Sequence, residues 1–336
     1  MPAISSAILV DSILNAIQES GGLGIYVSES MRTHPRRFMV QYLEQTFSLS
    51  VYIWTLTFGG RQSLSNEYRI QMTSVTSPLP INSPGYTVLL GYYPDLGIFT
   101  GFDIHKHRIF TTGSPSVQIN LNAIHNALQD GLAFATKDNQ EIAVAIRSDQ
   151  FLNYVLNAEV LHQYGGSDTA FLNLLTKATQ LEEIASPDIE NINTERQKII
   201  TNVSRYARYA NFRQQVLNAY DNRCAVTRAQ LRLVDAAHIL PIVAKNSIDH
   251  ISNGIALSPT MHRAYDNYLI YLDENYQMKL NDDTANDLRA HNLHAGLEQL
   301  KHLLDSPIHL PADRNQWPNI QFIKEANKYR RISGYY

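Results

Sequence analysis

The segment from Leu231 to Asn267 constrains this chain more than any other. It reads LRLVDAAHILP, then SNGIALSP, then TMHRAYDN. Leu231 to Ile239 is aliphatic and β-branched and is stopped by Pro241, so it is expected to form a strand. Ser252-Asn253-Gly254 has turn chemistry, and Gly254 to Leu257 reads as a second short strand. Ser258 then stands at a helix N-cap with Pro259 in the first helical position, and the helix carries Met261, His262, Ala264 and Tyr265. A hairpin followed directly by a helix is the expected local structure.

That frame places chemistry-bearing side chains together. His262 and Asp266 are four apart, so they lie on one helix face, with the spacing a single divalent ion needs for one nitrogen and one oxygen ligand. His238, projecting from the first strand, suits a general base that takes a proton from water. Alone, a histidine in an aliphatic strand is usually a satisfied core residue and Asn-Gly an ordinary turn. Order, spacing and context together point to metal-assisted hydrolysis of a phosphodiester.

From Tyr220 to Asp273, the runs CAVT, DAAHILP, NGIALSPTMHRAYDN and LIYLD resemble the HNH endonucleases of ββα-metal fold, particularly those found in restriction enzymes. The resemblance implies a catalytic set of His238 as base, Asn253 as brace and His262. It implies His262 and Asp266 as metal ligands. Many members carry Asp or His directly before the base, where this chain has Ala237. Asp235, two residues earlier, either supplies the missing carboxylate or acts as an acceptor that orients a ligand. The donor set suits Mg²⁺ or Mn²⁺, with Zn²⁺, Ni²⁺ or Co²⁺ also accommodated.

At 336 residues the chain has room for two domains, and 18% charged with 44% hydrophobic residues describes a globular protein. The single cysteine, Cys224, excludes an intrachain disulfide and a four-cysteine zinc ribbon. The first twenty residues read as an amphipathic helix and no run has the length of a membrane span, so a cytoplasmic location is expected. Net charge is −3, yet eight basic residues and one acid lie between Arg196 and Arg232. Such a block supplies salt-sensitive affinity for phosphates. Arg205, Arg208, Arg213 and Arg228 are the expected double-stranded DNA contacts there.

The expected fold class is α+β. Residues 1–162 form a target-recognition domain with a bent antiparallel sheet, 163–202 a helical linker, and 203–336 the nuclease domain with a C-terminal wrap. FSLSVYIWTLTF, EYRIQMTSV, YTVLLGYY, LGIFTGFDI and EIAVAIR read as strands, and NLNAIHNALQDGLAFA as a helix. Arg61 and Arg69 are candidate DNA contacts beside the second strand. Arg32, His34, Arg36 and Arg37 form a second possible phosphate cluster, and Asp103, His105, Lys106, His107 and Arg108 another polar group. The leading reading is a restriction-type DNA endonuclease acting as a homodimer, since one such site cuts one strand. Two others remain open: a nuclease gated by a small signalling ligand, and a module made inactive by Ala237.

Overall fold

The computed structural model describes residues 4–335 except 44, 60–65, 112, 138, 167 and 305. The chain divides into two compact units, 1–210 and 211–336, and is of mixed α and β structure.

In the first unit the elements run α1 (Ser6–Glu19), β1 (Leu23–Tyr26), β2 (Arg36–Tyr42), β3 (Gln45–Thr55), β4 (Thr57–Phe58), β5 (Glu67–Gln71), β6 (Tyr86–Tyr93) and β7 (Ile98–Phe102). They continue with α2 (Ile104–His107), β8 (Ser116–Asn120), α3 (Leu121–Asp130), β9 (Leu132–Thr136), β10 (Ile142–Ile146), α4 (Phe151–Gly165), α5 (Thr169–Gln180), α6 (Ser186–Glu190) and α7 (Thr194–Ala219). Seven strands form one sheet in the order β1-β2-β3-β6-β7-β10-β9, and β4-β5-β8 form a second. The larger sheet is mixed rather than purely antiparallel, because β3 and β6 run parallel, with Val51 opposite Val88.

The larger sheet buries both faces, and each face has its own core. Leu49, Val51, Ile53, Leu90, Phe99 and Val144 point into the core shared with α1, α4, α5 and the first part of α7. Tyr52, Trp54, Leu89, Phe102 and Ala143 point into the other, under the smaller sheet and α3. α1 fits its place because Leu9, Val10, Ile13, Ala16 and Ile17 recur at helical spacing, and Ser5 caps it by accepting from the Ile8 amide. Segment 163–202, expected to link two domains, lies within this unit: Phe171, Leu172, Leu175, Ile199 and Ile200 belong to the first core.

The helix expected through LAFA ends at Asp130. Gly131 takes φ +81°, and Leu132–Thr136 turns back as β9 against β10. Arg36 is not a phosphate contact. It is 2% exposed and donates to the carbonyls of Met31 (3.1 Å) and Ile53 (3.2 Å). His34 stacks on Trp54 at 4.3 Å, and burial, then the Arg36 charge, pushes its pKa down to about 3. Arg61 lies outside the described residues.

In the second unit, β11 (Asp235–His238) pairs with β12 (Gly254–Leu257), followed by α8 (Pro259–Asp266), the hairpin β13 (Ile270–Leu272) and β14 (Met278–Leu280), α9 (Asp282–Ala290), α10 (Leu297–His302) and α11 (Ile320–Tyr329). Phe212, Val216, Tyr220, Ile255, Leu257, Met261, Tyr265, Leu272 and Ile323 are among its core residues. Among the described residues no helix is long and apolar enough to cross a membrane.

One buried carboxylate in the first unit is a source of pH-dependent stability. Glu141 is 1% exposed and is held by His107 Nε2 (2.6 Å), Lys137 Nζ (3.3 Å) and Asn139 Nδ2 (3.2 Å). Burial alone would raise its pKa. The His107 hydrogen bond and charge, then Lys137 and Asn139, more than offset this and lower it from 4.5 to about 2. A folded pKa below the unfolded one stabilises above about pH 4.5 and is lost as pH falls toward 2, a gap worth on the order of 3 kcal/mol. Urea midpoints measured between pH 6 and pH 3 should therefore fall steeply in the wild type, and less steeply in Glu141→Gln.

Candidate active site

The site is built on β11, β12 and α8. Tight pairing of β11 with β12 sets Asp235 opposite Leu257 and His238 opposite Gly254. Gly254 is required by packing: a Cβ there would stand 2.2 Å from Val216 Cγ2 and 3.2 Å from Phe212 Cε2. The helical register of α8 buries Met261 and Tyr265 and leaves His262 and Asp266 on a more open side.

Asn253 is fully buried and spends its amide on the backbone of the loop after β11. Its Oδ1 accepts from the Leu240 amide (2.8 Å), and its Nδ2 donates toward the carbonyls of Leu240 (3.2 Å) and Ile248 (3.1 Å) and toward Ser247 Oγ (3.2 Å). The backbone carbonyl of Asn253 also accepts from the Ile239 amide. The strand end is further pinned at the Ile239 carbonyl, which accepts from Tyr265 Oη (3.2 Å) and Arg330 Nη1 (2.8 Å). Arg330, 5% exposed, lies over the Tyr265 ring at 4.2 Å.

His238 is held on two sides. Its ring stacks on Phe212 at 4.0 Å and 11°, and its Nε2 is 2.9 Å from Asp249 Oδ1. Asp249 escaped the sequence reading because it sits in an irregular loop, where neither strand nor helix periodicity relates it to His238. An acid next to His250 in a polar loop carries no local signal of its partner.

His262 lies between two carboxylates. Its Nδ1 is 3.6 Å from Asp235 Oδ2, and its Nε2 is 3.3 Å from Asp266 Oδ2. Burial draws the imidazole pKa down, but Asp235 and Asp266 outweigh it and the net direction is upward. At 3.6 Å the Asp235 contact is longer than a hydrogen bond. Among the described residues no three His, Cys, Asp or Glu side chains converge on a ready-made metal point. The reason is visible here: the two acids address opposite nitrogens of one ring. His262 Nε2 and Asp266 Oδ2, 3.3 Å apart on one helix face, are a nitrogen and an oxygen donor of the kinds that would hold a divalent ion. Asp235 meets the other nitrogen of the ring.

The remaining candidates are dispersed. Arg205 and Arg208 are exposed residues of α7 in the first unit, with Arg205 lying over the Tyr206 ring at 4.8 Å. Arg69 is on β5, opposite Thr57 and Gln118. In the second unit, Arg213 donates to the Val234 carbonyl (3.4 Å), and Arg228 sits at φ +58° in the turn after Cys224, its amide donating to the Cys224 carbonyl. Cys224 is buried.

Residues 224–273 match the family model described as HNH endonuclease. This segment is an HNH endonuclease domain. HNH nucleases use a divalent metal ion, in keeping with the His262 and Asp266 pair. Residues 47–155 match a second family model, described as methylase-associated X1. A solved structure described as "Modification dependent TagI restriction endonuclease" is similar over 84% of this chain and 84% of its own, at 11% identity and a TM-score of 0.29. No curated protein matches.

The HNH hairpin should depend on Asn253 for its shape. Asn253→Ala strips partners from the buried Leu240 amide and from loop carbonyls, and should cost roughly 3 kcal/mol. Chemical denaturation followed through the Trp317 environment in the same unit would show the lowered midpoint.

Proposed function

We propose that this chain is a metal-dependent DNA endonuclease of restriction type, in which the first unit selects the target and the HNH domain cuts. The observation that carries the reading is the fixed His238, clamped by Phe212 and Asp249 within the matched HNH segment. The methylase-associated description of residues 47–155 supports a restriction setting.

In this mechanism His238 is the general base. With Nε2–H donated to Asp249, the Nδ1 lone pair is left to take a proton from the attacking water. Asp249 thus fixes the tautomer, and Phe212 fixes the ring plane. His262 and Asp266 would hold the divalent ion, Mg²⁺ or Mn²⁺, which when bound supplies charge stabilisation at the scissile phosphate. Asp235 holds the His262 ring from its far nitrogen. Asn253 contributes by positioning the loop that carries Asp249. Arg205 and Arg208, exposed and cationic, contact the DNA backbone in this reading, with Arg213, Arg228 and Arg69 as further contacts. Two copies of the chain serve the two strands, which makes a homodimer the working assembly.

The roles separate by mutation. His238→Ala should lower single-turnover cleavage by roughly 10²–10⁴-fold while DNA affinity stays unchanged, because a base acts in the transition state. Loss of affinity in parallel would make His238 structural and sink the assignment. Asp249→Asn should lower kcat with little change in KM.

Replacing the metal-side carboxylate gives a different signature. Asp266→Ala should raise the Mn²⁺ concentration needed for half-maximal cleavage by about 10–100-fold. Unchanged metal dependence in that variant would remove Asp266 from the ligand set.

A further inference from the structure

A cavity of about 210 Å³ opens into the first unit between α2, α4 and the 81–88 segment. That is smaller than the roughly 300–1,000 Å³ of pockets that enclose drug-sized ligands, and suits one heteroaromatic ring system. Tyr86, Phe102 and Tyr154 supply aromatic walls, and Gly101 lets Tyr154 approach, since a Cβ there would stand 2.2 Å from that ring. Asp103, 7% exposed, lines the cavity. One of its oxygens, Oδ1, accepts from the amides of His105 (2.9 Å) and Lys106 (3.4 Å). No described residue donates to the other. His162 is 6% exposed and paired with Tyr154 Oη at 2.9 Å. Burial, its largest influence, pushes its pKa down to about 4, so it is neutral near pH 7. At the mouth, Glu159 and His105 are 79% and 53% exposed.

The lining chemistry selects the occupant. Two carboxylates and no lysine or arginine among the described lining residues disfavour a phosphate inside. A carboxylate oxygen that lines the cavity with no donor among the described residues calls for an N–H donor, and aromatic walls call for a flat ring. The missing cation stands next door. A groove of about 360 Å³ shares the wall Ile81, Asn82 and Ser83 with the cavity, and is lined by Arg37, Ser48 and Ser50.

We propose that this cavity receives one amino-bearing nucleobase, adenine or cytosine or a methylated form of either, turned out of the DNA duplex, with Asp103 accepting from its exocyclic amine and Arg37 facing its phosphate. The inference rests on the reading of the chain as a DNA endonuclease, and makes the cavity the reader that directs the HNH domain. Turning a base out is the route by which a protein reaches its Watson–Crick edge, with aromatic stacking offsetting lost pairing.

The test uses the full chain with Mn²⁺ on long DNAs of natural sequence, made with cytosine, 5-methylcytosine, adenine or N6-methyladenine throughout. Cleavage rates and mapped ends are compared for wild type, Ala158→Phe, which fills the cavity, and Asp103→Asn, which keeps an acceptor for the two helix amides. The expected wild type prefers one base or base form by about tenfold or more. Both variants should lose that preference and still cut the poorer DNA at the wild-type rate, which also shows that they fold. A preference that survives both substitutions overturns the proposal, as does a wild type that cuts without preference. Calorimetry with free adenosine, cytidine and their methylated forms separates the remaining source. Saturable nucleoside binding lost in Ala158→Phe, with target choice unchanged, would mark a free-ligand site and overturn the duplex reading. Failure of the wild type to cut any of the DNAs would instead refute the endonuclease function itself.

Discussion

Much of the HNH hairpin's geometry hangs on the side-chain amide of Asn253. With no exposed surface, it works as a piece of backbone, closing the loop between β11 and β12 through an acceptor for Leu240 and donors for Leu240, Ser247 and Ile248. A loop of that length has many conformations in isolation, and its ordering entropy must be met by internal bonds. Asn253 provides several of them from a single side chain. Asp249 is carried by the same loop, so the orientation of His238 depends on an amide that never touches it. Phe212 completes the arrangement from the other side of the ring.

The two units solve different physical problems. The first is a sheet buried on both faces, and its buried Arg36, Glu141 and Tyr154 side chains are each satisfied locally: Arg36 by carbonyls, Glu141 by His107, Lys137 and Asn139, and Tyr154 by His162. Such satisfaction is what lets charged residues sit in a low-dielectric interior. The second unit has a smaller core assembled from short pieces, and relies on specific cross-ties such as Arg330 to the Ile239 carbonyl and Asn327 Nδ2 to the Leu272 carbonyl.

The hairpin and helix of the HNH segment were legible because their signals are local: Pro241 and Gly254 as punctuation, Pro259 after an N-cap serine, and the His262 and Asp266 spacing that one helical turn dictates. In the first unit β3, β5, β6, β7 and β10 were legible for the same reason. β1, β2 and β8 were not, since short strands next to Gly and Pro look like loop until a neighbour pairs with them. The parallel pairing of β3 with β6 is a long-range choice with no local mark. Leu132–Thr136 continued the helical pattern of α3 in sequence, and only the left-handed turn at Gly131 redirects it. Arg36 looked like a surface cation, but β2 alternates so that it shares the inward side with Phe38 and Val40. At the site, Asp235 was foreseen as either ligand or orienting acceptor, and it stands 3.6 Å from Nδ1 of His262. Asp249 was invisible because its partner lies eleven residues away across irregular chain.

Arg330 has a consequence for how such a domain can be moved between proteins. The recognisable family segment stops at residue 273, yet a guanidinium more than fifty residues later fastens the strand that carries His238, and the His309 amide ties to the Ala225 carbonyl at the segment's other edge. The stretch that sequence comparison marks out is therefore shorter than the stretch that shapes it. Recombination at the borders of the recognisable motif would carry the histidines away without their fastenings. A graft cut at 211 and extending past 330 would keep them, so the heritable module is more than twice the length of its signature.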